Sequence, residues 1–226
     1  MKKFYQLIQK NLRPSRLAEL FQKKYSTVDE LPLITISREK GSGGRPTAYL
    51  LAKKLGTPWK VYHKEIVDDI AEETHLEKKL IQEVDEHKIP LIEETIADFF
   101  GKRYMTFNNY HQHLIKILSA IGQLGYSIIV GRGAQNLFPH ALKVRIICEM
   151  EQRIKWMMEF EKMSRYKAIK VISESDEKRL EFEKAIFNHD LRKAHHYDLV
   201  IRTGPNLSIE DAAEAIVKLA KRRFRL

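Results

Sequence analysis

Residues 38–48, REKGSGGRPTA, place three glycines, a serine and flanking cations between an apolar run, LITIS (33–37), and a stretch whose apolar residues recur at helical spacing. Glycine permits tight turns and close approach of the backbone to a ligand. A helix starting just beyond adds unpaired N–H groups and the positive end of its dipole. That combination suits a phosphate. Gly41, Ser42, Gly43 and Gly44 would supply amides, and Pro46 is tolerated in a first helical turn because it has no N–H to satisfy. The strict spacing G-x-x-x-x-G-K-[ST] is nevertheless absent. With Gly43 as the last loop glycine, the lysine position holds Gly44 and the hydroxyl position Arg45. With Gly44 last, those positions hold Arg45 and Pro46, and Glu39 stands at the first glycine. Arg45 is then the expected source of positive charge, because a guanidinium pairs well with phosphate oxygens. Thr47 or Ser42 is the expected hydroxyl on the side of a magnesium ion. Taken alone, the loop also reads as a tight turn without a ligand.

Other residues with chemical potential are less well arranged. His63 follows the apolar WKVY and could serve as a general base, although a lone imidazole more often sits at a pocket edge. His111 and His113 fall on different faces of a helix, so they are not expected to share a metal. His195 and His196 are adjacent and are expected to point apart or to mark a loop. Cys148 closes the apolar KVRIIC and reads as a buried, inert thiol; a single thiol forms no internal disulfide, which fits a reducing cytoplasm.

The glycine loop needs a strand before it and a helix after it, and the chain offers both. LITIS reads as a buried strand, and Ala48, Leu51, Ala52 and Leu55 follow at helical spacing up to Gly56. WKVY (59–62), SIIVG (127–131), KVRIIC (143–148) and DLVIRT (198–203) read as four further strands. Residues 64–124 are helical, with caps expected at Thr74 and Asn108 and breaks near Pro90 and Gly101. Residues 150–196 are charged and helical. Ser208 is the expected cap of a last helix whose Ala212, Ile216 and Leu219 face the core. Five short apolar strands separated by helices predict an α/β fold with a five-stranded parallel sheet covered on both faces. Such sheets bind ligands at the carboxyl ends of their strands. The glycine loop, GRG (131–133) and the segment after Thr203 all fall there.

The chain has 226 residues, 43% of them hydrophobic, which suffices for one sizeable core without a second domain. A net charge of +10 favours anionic partners. Zinc-finger spacing, RNP-like motifs and aromatics interleaved with basic clusters are missing, so no specific nucleic-acid partner is expected. The longest apolar runs fall far short of the ~18 residues of a membrane span. The basic start lacks the continuous apolar segment and cleavage site of a signal peptide, so a cytoplasmic location is expected and a membrane partner is not. Residues 1–30 carry Phe4, Leu7, Ile8 and Leu12 on one stripe and Leu17, Leu20 and Phe21 on another, interrupted by Pro14. They predict a basic helical extension packed on the 31–226 domain or, as a homodimer, on a second copy.

Four segments together resemble the cytidylate kinase-like family, relatives of the bacterial cytidylate kinases among P-loop nucleoside monophosphate kinases. They are ITISREKGSGGRPTAYLLAKKLG, IIVGRGAQNLFP, the D-x-x-R pair Asp176 and Arg179, and YDLVIRTGPNLSIEDAAEAI. The resemblance covers roughly residues 33–220 in order. It implies a three-layer P-loop fold with a monophosphate-binding helical insertion (63–124) and a helical lid (about 150–196). It implies ATP and Mg²⁺ as cofactors and a nucleotide as substrate, most simply CMP or dCMP. The resemblance puts Gly41, Ser42, Gly43, Gly44, Arg45 and Thr47 on ATP, with Ser42 and Thr47 on the metal side. It places Arg38, His63 and Arg132 on the acceptor side. Arg45, Arg132 and Arg179 would act on the transferring phosphates, with Asp176 orienting Arg179. Two positions depart from the family pattern: His63 replaces an aspartate after the second strand, and Arg202 replaces Asn or Asp near the end. These departures leave two other readings, a kinase for a different small-molecule acceptor and a non-catalytic nucleotide-binding or interaction protein.

Overall fold

A computed structural model describes residues 31–65, 67–68, 74–84 and 89–226. The expected N-terminal helix and its dimer contact lie outside the described residues. Five strands form one sheet: β1 (Leu33–Arg38), β2 (Lys60–His63), β3 (Ser127–Val130), β4 (Leu142–Cys148) and β5 (Leu199–Thr203). Their order is β2-β3-β1-β4-β5. Every pairing is parallel, with Ile36 opposite Val130 in β3 and Val144 in β4. Four of the five are rich in β-branched residues that fit a pleated surface covered on both sides. β2 runs one residue beyond its expected end, which makes His63 the last residue of the strand.

The alternation of side chains divides the core between the two faces of the sheet. Ile34, Ile36, Ile128 and Val130 pack with Ala48 and Leu51 of α1 (Gly44–Leu55) and with Ala212, Ile216 and Ala220 of the C-terminal helix. Leu33 and Ile129 pack on the other face with Leu114, Ile117, Leu118 and Ile121 from the helical insertion. Helix, sheet and helix make three layers.

The insertion contains α2 (Thr74–Gln82), α3 (Ile89–Phe100), a 3-10 segment (Gly101–Thr106) and α4 (Asn109–Leu124). Asn108 caps α4 by accepting from the His111 amide at 2.9 Å. As expected, the helical run is interrupted near Pro90: α2 ends at Gln82, and Pro90 occupies the first turn of α3, where its missing N–H removes no internal bond. Gly101, at φ +52°, is where α3 gives way to the 3-10 segment. A cap at Thr74 would lie on a side chain outside the described ones.

α5 (Ala134–Leu137) follows the GRG turn, and α6 (Met150–Phe160) and α7 (Arg165–Phe187) follow β4. Their charged surfaces cover a small apolar centre of Ile154, Met157, Ala168 and Ile172. α8 (Ile209–Phe224) opens on a reciprocal capping box: Ser208 Oγ accepts from the Asp211 amide, and the Asp211 carboxylate accepts from the Ser208 amide. No helix among the described residues is long and apolar enough to cross a membrane.

Candidate active site

The carboxyl ends of β1 and β3 lie side by side, and each continues into a glycine turn. After β1, Gly41 and Gly43 take φ values of +81° and +80°, which a residue with a Cβ adopts only under strain. Gly43 ends the turn and precedes α1, and no side chain caps its amides. The first turn of α1 contains no carboxylate either. Carboxylates are favoured at that end of a helix, and a cation such as Arg45 is disfavoured. Uncapped amides at a helix start without a carboxylate describe a place for an anion.

Four guanidinium groups converge there. Arg38, the last residue of β1, is half-buried, and among the described residues it has neither a hydrogen-bond acceptor nor an ion-pair partner. Burial pushes its pKa well below the ordinary value, and the charges of Arg179, Arg45 and Arg132 push it further; only Glu65 opposes them. The Arg179 guanidinium reaches in from α7 and donates to the Arg38 carbonyl at 3.3 Å. Burial lowers the pKa of Arg179 as well, against the pull of Asp176. Like charges this close are destabilising unless an anion joins them.

Arg132 follows β3 in a run of three left-handed residues, Gly131 (φ +83°), Arg132 (φ +57°) and Gly133 (φ +69°). A non-glycine residue in that conformation is strained, and such strain clusters at functional positions. Asp68 holds the Arg132 guanidinium through its carboxylate, Tyr110 donates to the same carboxylate at 2.9 Å, and Phe182 lies under the guanidinium 5.7 Å away. The buried Nε of Arg132 has no acceptor. Beside this group, Glu65 Oε2 accepts from Arg45 and meets His63 Nδ1 at 2.7 Å. Burial raises the pKa of Glu65, but hydrogen bonds from Arg45, its own amide and His63 outweigh it and hold it down at about 2.

On the lid side, Asp176 gathers three donors: the Lys40 amide of the glycine loop at 2.8 Å, Arg153 Nη1 at 2.5 Å and Arg179 Nη1 at 3.1 Å. Lys40 Nζ adds an ion pair to Glu161 at 2.8 Å. At the far end of α7, buried Glu183 accepts from Gln135 Nε2 (2.8 Å) and Asn136 Nδ2 (2.6 Å), which ties the helix to α5. Burial raises the pKa of Glu183, and those amides with Arg145 and Arg38 oppose the shift.

The structure thus brings Arg38, Gly41, Gly43, Gly44, Arg45, His63, Arg132, Asp176 and Arg179 to one edge of the sheet. Ser42 and Thr47 are different. Ser42 Oγ donates to the Glu39 carbonyl at 2.9 Å and the Ile146 carbonyl at 3.2 Å, and Thr47 Oγ1 donates to the Gly43 carbonyl at 2.9 Å. Both residues are fully buried. Neither offers an oxygen to a hydrated Mg²⁺, so the expected metal ligands do not fit that role in this arrangement. Arg45 is also not the cation inside the loop: its side chain is 46% exposed and turned to Glu65. Arg202 lies on the surface with Glu149, 2.7 Å away. His195 and His196 do not point apart; their rings are 4.4 Å apart in a 3-10 turn (Ala194–His196), and His196 stacks on His189 at 4.7 Å. Cys148 is buried, and burial raises its thiol pKa, as expected of an inert thiol.

Sequence reasoning missed Glu65, Asp68, Arg153 and Glu183. A signal existed for the first two. YHKEIVDD puts carboxylates immediately after a strand end, which is where a parallel sheet forms its sites.

This end of the sheet gathers a glycine loop, a second arginine-bearing turn and an arginine-bearing helix. The cytidylate kinase-like family matches residues 33–205, and the chain belongs to that family. Membership points to nucleotide kinase activity without naming a substrate. No curated protein matches the chain significantly. Among solved structures, an uncharacterized protein from Eubacterium ventriosum is 20% identical; the alignment covers 84% of this chain and 98% of that one, with a TM-score of 0.67. That likeness supports the fold. TT1252 from Thermus thermophilus is 16% identical over the same shares, with a TM-score of 0.45.

Proposed function

We propose that the chain transfers the γ-phosphoryl group of ATP to a nucleoside monophosphate, CMP or dCMP in the first instance. The observation that carries this reading is the convergence of Arg38, Arg132 and Arg179 on an uncapped glycine loop, with Arg45 beside them and Arg38 lacking an acceptor among the described residues. In such a transfer, an oxygen of the acceptor phosphate forms a bond to the γ-phosphorus. The bond from that phosphorus to the β,γ-bridging oxygen breaks, and ADP leaves. The nucleophile is already an oxyanion, so no side chain has to remove a proton. The protein's task is to hold two polyanions in line and to neutralise charge on the moving group. Loop amides would hold the donor phosphates. Arg132 would exchange Asp68 for the acceptor phosphate, and Arg179 would enter with the lid, which excludes water.

A second reading, a different acceptor, draws on one observation. His63 and Glu65 form a bonded pair at the edge of the acceptor side, where the resembled family carries an aspartate. An imidazole offers fewer acceptor positions to a sugar hydroxyl than a carboxylate does. Incubation of the chain with ATP, Mg²⁺ and each common nucleoside monophosphate, followed by ³¹P NMR of the products, tests both. The proposal expects CDP or dCDP and ADP in equal amounts. Turnover only with another monophosphate would move the acceptor. Bound ATP without transfer to any acceptor would favour the non-catalytic reading.

A further inference from the structure

With Gly43 as the last loop glycine, Gly44 occupies the position that a phosphate loop gives to lysine. Gly44 is buried in the first turn of α1, and its φ is not positive, so its backbone does not explain the missing side chain. Space explains it. An ideal Cβ on Gly44 would stand 2.6 Å from Arg38 Cβ and 2.8 Å from Arg38 Cγ, closer than real Cβ atoms come to their neighbours. The volume of a lysine stem is therefore filled by the stem of Arg38. Farther out, a Cβ on Gly131 would collide with the Arg38 guanidinium itself. Gly131 needs no such explanation, since its φ of +83° already favours glycine; the contact shows that the Arg38 side chain runs from the glycine loop to the turn that carries Arg132.

We infer that Arg38, supplied from the end of β1, is the cation that replaces the loop lysine on the transferring phosphate, and that Gly44 is the room it needs. The inference rests on the kinase reading above. Arg45, which follows Gly44 and looks like the substitute in sequence, is turned outward onto Glu65. Arg38 has no such partner among the described residues. Its guanidinium lies between the donor loop and the acceptor arginine, where a planar fork can bond oxygens of two phosphates at once. A lysine at position 44 would bring a single point charge from the opposite side of the same space.

The test uses the full chain and two probes, ATP and inorganic tripolyphosphate, with binding measured calorimetrically in the absence of acceptor. Arg38→Ala should weaken both at least tenfold, and Arg45→Ala about threefold or less. Gly44→Lys alone collides with Arg38 and should lose binding. Arg38→Ala combined with Gly44→Lys should regain at least tenfold over Arg38→Ala, because the lysine then has the vacated space. Circular dichroism and the thermal midpoint guard against misfolding: Arg38→Ala removes a like charge and should be no less stable than the parent. Unchanged ATP and tripolyphosphate affinity in Arg38→Ala would overturn the inference, as would a larger loss in Arg45→Ala. The kinase reading fails separately: affinity that depends on Arg38, with no acceptor phosphorylated, would leave Arg38 as the phosphate cation of a non-catalytic protein. Failure of the parent chain to bind either probe would overturn both.

Discussion

Arg45 and His63 both turn to Glu65 and, against the effect of burial, hold its pKa below the ordinary carboxyl value. The folded pKa lies below the ordinary 4.5, so the stabilisation from this group is complete above pH 4.5 and is lost as the pH falls through about 2. The carboxyl carbon of Glu65, followed by ¹³C NMR, should titrate near pH 2 in the parent chain and closer to 4.5 in Arg45→Ala. A midpoint unmoved by that substitution would mean that Arg45 is not its partner in solution. Gly133 gives a prediction of the opposite kind. Its φ is +69°, and a Cβ there would collide with the Phe187 ring, so Gly133→Ala carries both backbone strain and overpacking. It should cost about 2–4 kcal/mol in denaturant unfolding; a cost below ~1 kcal/mol would show that the GRG turn and α7 are not packed together. At this scale the sequence revealed residue types better than pairings. GSGG was legible as a tight turn suited to a phosphate because glycine has a backbone meaning, and GRG as a segment at a strand's carboxyl end. The choice between Arg38 and Arg45 was not legible, because it depends on where each side chain turns: Arg38 from the end of β1 across Gly44, and Arg45 from α1 out to Glu65.

The lid helix α7 touches the glycine loop through Asp176, and the contact has two consequences. The carboxylate occupies the Lys40 amide, one of the donors a phosphate would use, and it also positions Arg153 and Arg179. Asp176→Asn keeps an oxygen for the amide but loses the charge that aligns the two guanidiniums. Turnover should fall by roughly tenfold or more while ATP binds equally well or more tightly. Weaker ATP binding with unchanged turnover would assign Asp176 to nucleotide binding instead. At the end of the fold, Ser208→Ala removes one half of a capping box and should cost about 1 kcal/mol in thermal or chemical unfolding, with no effect on nucleotide affinity. Four of the five strands were legible as short runs rich in β-branched residues, and β2, with Val61 alone of that type, was the weaker signal. The break near Pro90 was legible because a proline is tolerated in the first turn of a helix and not in its interior.

Across the molecule, a parallel sheet places two chain turns from distant parts of the sequence against each other, and a charged pair of helices closes over them. Residues 31–226 form one compact unit, so the two glycine turns and helices α6 and α7 share a single scaffold. The order of the strands was not legible in the sequence, since five similar apolar runs do not reveal which is central. The outcome puts β1 between β3 and β4, which is what sets Arg38 beside Gly131. The central claim is that the two turns bind two phosphate groups at transfer distance. A cytidine–adenosine pentaphosphate, in which donor and acceptor nucleosides share one phosphate chain, measures that adjacency directly by calorimetry. Linking two occupied sites raises affinity without new contacts, so it should bind on the order of a hundredfold more tightly than ATP alone. The excess should disappear in Arg132→Ala while ATP affinity stays. Binding no tighter than that of ATP would contradict the account, because it would leave the glycine loop without an acceptor site beside it.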